Sequence, residues 1–200
     1  EADETSLLVD FAQAEKIDLT IVGPEAPLAA GVVDAFEAAG LLCFGPTKQA
    51  AILEASKSYT KDFLKRYGIP SGDYEVFVDI DSAVDYINSV PIPVVVKADG
   101  LAAGKGVVVA VTRDQALKAA HDMLEENAFG DAGAKIVVEE FLTGEEASFI
   151  CMTDGVTAIP FASSQDHKAR DEGDKGPNTG GMGAYSPAPI IDDEMEQEII

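Results

Sequence analysis

The stretch from Val94 to Ala110, VVVKADGLAAGKGVVVA, confines this chain more tightly than any other. Its two valine-rich runs favour extended backbone, because β-branched side chains are stiff and pack well on a pleated surface. Between them Gly100, Gly104 and Gly106 free the backbone, so the segment has to fold as strand, glycine loop, strand. Such a loop lets main-chain N–H groups converge on an anion, and Lys97 and Lys105 bring positive charge to the same place. It is not a P-loop: three residues rather than four separate Gly100 from Gly104-Lys105, and Gly106 stands where Ser or Thr is needed. Nor is it a dinucleotide fingerprint, since Val109 occupies the third glycine position and a strand follows instead of a helix. A hairpin with solvated lysines is the competing reading of these residues alone.

The sequence before the loop alternates between helical and strand-like texture. Residues 6–15 carry an amphipathic pattern with Leu7, Leu8, Phe11 and Ala14 on one face. DLTIV (18–22) and LLCF (41–44) are short apolar runs, each stopped by Gly-Pro, and a helix from Pro27 to Ala39 lies between them. That alternation predicts a parallel sheet with crossover helices. One helix is expected over 47–67, starting at Thr47 and ending before Gly68 and Pro70. From Tyr74 to Glu140 strands flank helices near 81–88 and 114–126, the texture of a small α+β subdomain. ASFICM and VTAIPF then form a hairpin about Asp154-Gly155, a pair suited to a type I′ turn. Residues 163–189 have almost no apolar periodicity and read as a long loop, of a length that is functional or disordered in a compact domain.

Charge narrows the partners. With a net charge of −22 the chain opposes nucleic acid and anionic membrane surfaces, and no apolar run reaches the length of a membrane helix. An acidic protein that binds a polyanion has to gather its few cations locally. Lys97 and Lys105 do so, as do Lys168, Arg170 and Lys175. Cys43 and Cys151 sit in apolar strand-like runs and read as buried structural thiols in a reducing cytoplasm. No metal-ligand spacing of Cys and His is present. The chain opens without Met and stops in an acidic helix-like stretch, DDEMEQEII, from which we expect a piece of something longer.

Two further segments carry chemistry. In VEEFLTGEEASF (138–149) acidic strand ends and the apolar pair Phe141 and Leu142 are able to frame an adenosine, although acidic strand ends are also ordinary solvated features. In the run Asn178-Thr179-Gly180-Gly181-Met182-Gly183 the backbone has the freedom to form a nest for an oxyanion or phosphate. His167 precedes it, either as a general base or as a hydrogen-bonding residue of a polar loop.

Taken in order, GPEAPL, FGPT, Ser56-Lys57, VVKADGLAAGKGV, VEEFLTGEEASF, SQDHK and GPNTGGMGAYSP resemble the phosphoribosylamine–glycine ligase family of the ATP-grasp superfamily, over essentially the whole chain. The combination of LAAGKG with GPNTGGMGAYSP is specific where a single piece would not be. The resemblance implies an α/β and α+β fold: the end of a parallel βαβ amino-terminal domain over 1–48, then an ATP-grasp domain over 49–200 with a lid subdomain at about 74–144. It implies that Lys57 and Lys97 touch nucleotide phosphates and that Ala98, Gly100, Gly104, Lys105 and Gly106 belong to a loop closing over them. Glu139, Phe141 and Leu142 then match the hinge that reads adenine, and Glu146 the carboxylate that holds ribose. Gly23, Pro24, Glu25, Asp166 and His167 match substrate-facing positions, while Lys168, Arg170, Asn178, Gly180 and Gly181 match the reacting centre. The family usually continues His-Lys-Arg, but here Ala169 follows Lys168 and the cation comes one step later, at Arg170.

The implied reaction joins glycine to 5-phosphoribosylamine with ATP in purine synthesis, in the cytoplasm and beside neighbouring enzymes of that pathway. The metal, Mg²⁺ or Mn²⁺, would be held by residues beyond Ile200, so these residues alone are expected to be inactive. Competing expectations are another ATP-grasp ligase or carboxylase, a non-catalytic nucleotide-binding module and, against the charge, a nucleic-acid binder.

Overall fold

In the computed structural model the described residues are 4–102, 106–126, 128–173 and 175–200, and the chain divides into two compact units, Glu1–Leu142 and Thr143–Ile200. The first unit opens with α1 (Thr5–Ala14), β1 (Thr20–Ile21), α2 (Glu25–Ala30), α3 (Val32–Ala38) and β2 (Cys43–Phe44). The expected parallel pairing is present, Thr20 opposite Cys43 and Ile21 opposite Phe44. Two local expectations fail. The face of α1 that packs is Leu8, Val9 and Ala12, against Val32, Val33 and Phe36, while Leu7 and Phe11 are exposed. The sequence holds two apolar stripes at helical spacing, and only packing selects between them. The single helix from Pro27 to Ala39 is two helices, because Gly31 takes φ +98°, a left-handed conformation that ends α2.

The expected helix over 47–67 is likewise divided, into α4 (Lys48–Ala55) and α5 (Lys57–Tyr67). Ser56 is extended, and its hydroxyl accepts the Tyr59 N–H at 3.2 Å to start the second helix. Next come β3 (Tyr74–Phe77), α6 (Ile80–Ser89), β4 (Val94–Ala98), β5 (Val107–Ala110), α7 (Arg113–Leu124) and β6 (Ile136–Glu140). The four strands form one antiparallel sheet in the order β3-β6-β4-β5. Strand alternation gives this sheet two characters. Val94, Val96, Ala98, Ile136 and Val138 bury one face against Ile87, Ala116, Ala120 and Met123 of α6 and α7. Each fully buried large side chain there contributes about 1.5–3 kcal/mol. Val95, Lys97, Val137 and Glu139 occupy the other face, and α5 packs on β6.

The second unit contains β7 (Cys151–Thr153), β8 (Ala158–Pro160), β9 (Gln165–Asp171), β10 (Lys175–Tyr185) and α8 (Asp193–Ile199). β7 and β8 make the expected hairpin, with Thr153 opposite Ala158. Its connection is a four-residue loop rather than a two-residue type I′ turn: Asp154 Oδ1 accepts both the Val156 and Thr157 N–H groups, at 3.0 and 2.8 Å. Cys151 is exposed, not buried as expected, whereas Cys43 is half-buried. Residues 163–189, expected as a loop, contain the antiparallel pair β9–β10. The pair lacked an apolar alternation because most of its residues are exposed on both faces.

Candidate functional site

In the first unit a cleft of about 350 Å³ is lined by Glu25, Lys57, Lys61, Lys97, Gly106 and Glu139 among others, within the range of small-molecule sites. It lies on the non-core face of the four-stranded sheet. Lys57 and Lys61 come from successive turns of α5, Lys97 from β4 and Glu139 from β6. In the β4–β6 register Glu139 faces Val95 and is diagonal to Lys97, so both side chains emerge on the same face. The Glu139 carboxylate accepts from Lys97 through Oε1 and from Lys61 through Oε2 at 2.9 Å. Lys97 finds no second acceptor among the described residues, leaving N–H donors for a ligand.

Lys57 is placed by a second network. Asp99, just past β4, accepts the Ser58 N–H at 2.6 Å and the Ser56 hydroxyl at 3.1 Å, which fixes the start of α5. The Lys57 ammonium donates to the carbonyls of Asp99 and Gly100, at 3.4 and 3.0 Å. Burial, reinforced by the charge of Lys97, pushes the Lys57 pKa below its ordinary value against the opposing pull of Asp99, Glu54 and Glu139. A desolvated ammonium beside main-chain carbonyls is poised for a stronger anion.

The loop glycines have a different role from the torsional one their sequence suggests. A Cβ on Gly100 would lie 2.8 Å from the Ala132 Cβ and 2.9 Å from its Cα. A Cβ on Gly106 would lie 2.7 Å from Ala102 and 3.0 Å from Ala98. Both glycines allow close packing at the base of the loop. Gly104 and Lys105 lie outside the described residues.

The remaining first-unit candidates are spread more widely. Glu25 borders the cleft as the first residue of α2, which follows Gly23 and Pro24. Ala98 is buried in the sheet core, with its N–H bonded to the Gly106 carbonyl at 2.8 Å. Phe141 and Leu142, just beyond β6, are exposed and do not line the cleft. Sequence reasoning missed Lys61 and Asp99. The signal for Lys61 was its spacing, one helical turn beyond Lys57.

In the second unit β10 bulges away from β9. It advances from Asn178 to Gly183 while its partner moves only from Ala169 to His167. Gly181 and Gly183 adopt φ +128° and +150° within this bulge, and Gly180 is open to its surroundings. Lys168 pairs with Asp166 at 2.5 Å, and Arg170 pairs with Asp171 at 2.8 Å. The Asp166 bond holds Lys168 above its usual pKa and Asp166 below its own. His167 packs its ring 5.4 Å from that of Tyr185. Alternation along β9 puts positions 169 and 170 on opposite faces of the strand. Glu146 is exposed.

Family models agree with this architecture. Residues 1–54 match the N domain of phosphoribosylglycinamide synthetase, and residues 55–200 match its ATP-grasp (A) domain. The chain is 64% identical over 190 residues to the phosphoribosylamine–glycine ligase of Salmonella typhimurium, covering 95% of this chain and 44% of that protein. The crystal structure of phosphoribosylamine–glycine ligase from Thermotoga maritima superimposes with TM-score 0.72 at 34% identity, over 78% of this chain and 40% of the other. The biotin carboxylase domain of Hydrogenobacter thermophilus 2-oxoglutarate carboxylase, in complex with MgADP, ADP and bicarbonate, superimposes with TM-score 0.75 at 17% identity, over 98% of this chain and 43% of the other, a likeness of fold alone. The chain thus spans less than half the length of the curated relatives it matches. By these matches over its full length, the chain belongs to the phosphoribosylglycinamide synthetase family and carries its N-domain and ATP-grasp folds.

Proposed function

We propose that the whole protein joins glycine to 5-phosphoribosylamine at the expense of ATP, giving glycinamide ribonucleotide, ADP and phosphate. The observation that carries this is the convergence of Lys57, Lys61 and Lys97 on one cleft beside the base of the glycine loop, in a chain 64% identical to a phosphoribosylamine–glycine ligase. A carboxylate is a poor electrophile. A glycine carboxylate oxygen attacks the γ-phosphorus of ATP, the bond to ADP breaks, and glycyl phosphate forms. The sugar amine then attacks the carbonyl carbon, phosphate leaves with the bonding pair, and the amine proton passes to solvent.

Positioning and charge neutralisation carry such a transfer. Lys57 and Lys97 hold the nucleotide phosphates, and the loop 98–106 excludes water that would hydrolyse the acyl phosphate. Glu139, Phe141 and Leu142 form the adenine hinge, Glu146 takes the ribose, and Gly23, Pro24, Glu25, Asp166 and His167 serve the other substrates. Lys168, Arg170, Asn178, Gly180 and Gly181 act on the transferring group. Residues 1–48 end the amino-terminal domain, and 49–200 begin the ATP-grasp domain with its lid at about 74–144. Among the described residues no three His, Cys, Asp or Glu side chains gather to hold a metal. In this reading the ligands for Mg²⁺ or Mn²⁺ are assigned beyond Ile200. No helix among the described residues is long and apolar enough to cross a membrane; a cytoplasmic location beside other purine-pathway enzymes belongs to the same proposal.

The test is a coupled ADP-release assay on the complete protein with ATP, Mg²⁺, freshly generated phosphoribosylamine and a panel of carboxylates. Release that requires both glycine and the amine is the expected result. Release driven by D-alanine or bicarbonate instead would assign the protein to another ATP-grasp reaction.

A further inference from the structure

We propose that Lys61 is a positioning residue of the nucleotide site: it holds Glu139, and Glu139 in turn aims Lys97. This rests on the ATP-binding reading of the cleft. Lys61 lies one turn beyond Lys57 on α5 and, like it, borders the cleft. Its side chain is 12% exposed. An ammonium has three N–H donors, and those of Lys61 have three acceptors: Ser71 Oγ at 2.7 Å, the Gly72 carbonyl at 3.0 Å and Glu139 Oε2 at 2.9 Å. Lys61 therefore has no donor left for a phosphate.

Glu139 is equally committed. Its carboxylate, also 12% exposed, has one oxygen on Lys61 and the other on Lys97. Lys61, on the second oxygen, fixes the rotamer of Glu139 and so the position of the oxygen that meets Lys97. Lys97, on the adjacent strand, is then held by a single charged bond that leaves donors facing the cleft. The chain Lys61–Glu139–Lys97 thus crosses from α5 through β6 to β4, tying the helix that carries Lys57 to the strand that carries Lys97.

The link is testable in the complete protein by measuring the ATP dissociation constant without turnover, together with thermal unfolding and the KM for glycine. Loss of a charge-assisted bond in the relay weakens ATP by about tenfold in Lys61→Met, while the KM for glycine stays within twofold and Lys61→Arg recovers most of the affinity. Ser71→Ala removes a Lys61 contact that the relay does not use, and leaves ATP affinity within twofold. Because Lys61 acts only through Glu139, Lys61→Met combined with Glu139→Gln weakens ATP no more than the larger single change.

Three results would overturn the proposal: wild-type ATP affinity in Lys61→Met, multiplication of the two losses in the double variant, or an equal loss in Ser71→Ala, which would make Lys61 a scaffold for the turn. Should Lys61→Met not fold, Glu139→Gln alone decides, since unchanged ATP affinity there removes the middle of the relay. A wild-type protein that binds ATP without ligating glycine would sink the proposed reaction and leave this test standing. Absence of ATP binding in the wild type would sink both.

Discussion

Two glycine-rich runs, ADGLAAGKG and GPNTGGMG, look alike in composition and differ in physics. In the first, Gly100 and Gly106 are required by neighbours: a Cβ at either would enter another residue's space. In the second, a Cβ on Gly181 or Gly183 would meet nothing within 4 Å, and their backbone angles of +128° and +150° are what demands glycine. The cations near each run diverge in the same way. Lys57 is partly desolvated, with its pKa lowered. Lys168 and Arg170 are exposed, each with an acidic partner that raises its pKa. The first run is the packed base of a site already assembled around lysines. The second is an open bulge on an exposed strand pair.

The largest effect should come from filling the close approach. Gly100→Val drives a branched side chain into the Ala132 backbone and should destabilise the first unit by about 3 kcal/mol, read as a lower denaturant midpoint with weakened ATP binding. Stability close to wild type would mean that the approach is not tight. Gly181→Ala should cost about 1–2 kcal/mol of local backbone strain, expressed as a slower kcat with a smaller fall in the unfolding midpoint than Gly100→Val causes. A fall in midpoint matching that of Gly100→Val would erase the distinction between the runs.

The smallest effect is a pH dependence. ATP favours the protonated form of Lys57, whose pKa in the fold is lowered. Affinity should therefore be full below that pKa and fall as pH rises through it, starting below the ordinary lysine range near 10.4. Lys57→Arg should shift this alkaline limb upward, and an unshifted limb would take Lys57 out of the titration.

The same contrast explains what could be read from the residues beforehand. The antiparallel sheet announces itself because burial writes apolar runs into the sequence, as at Val94–Val96 and Ile136–Val138; the β1–β2 pair is legible from short apolar runs stopped by Gly-Pro, although Ile21 and Phe44 are exposed. The pair β9–β10 is silent, since an exposed strand built of Gly, Asp and Lys leaves no such pattern. The breaks at Gly31 and Ser56 were hidden for another reason. Each interrupts a pattern that remains helical on both sides, and at Ser56 the interruption depends on Asp99, distant in sequence. Lys57 and Lys97 were legible through family resemblance. Lys61 was not, because a lysine on a helix is ordinary until its three acceptors are seen.

The claim that ATP phosphates meet Lys57 and Lys97 is tested most directly by amine-selective labelling of the complete protein, read lysine by lysine in the mass spectrometer. Saturating ATP with Mg²⁺ should suppress labelling at Lys57 and Lys97 and leave Lys118, 73% exposed on α7, unchanged. Undiminished labelling at Lys57 and Lys97 under saturating ATP would contradict the account.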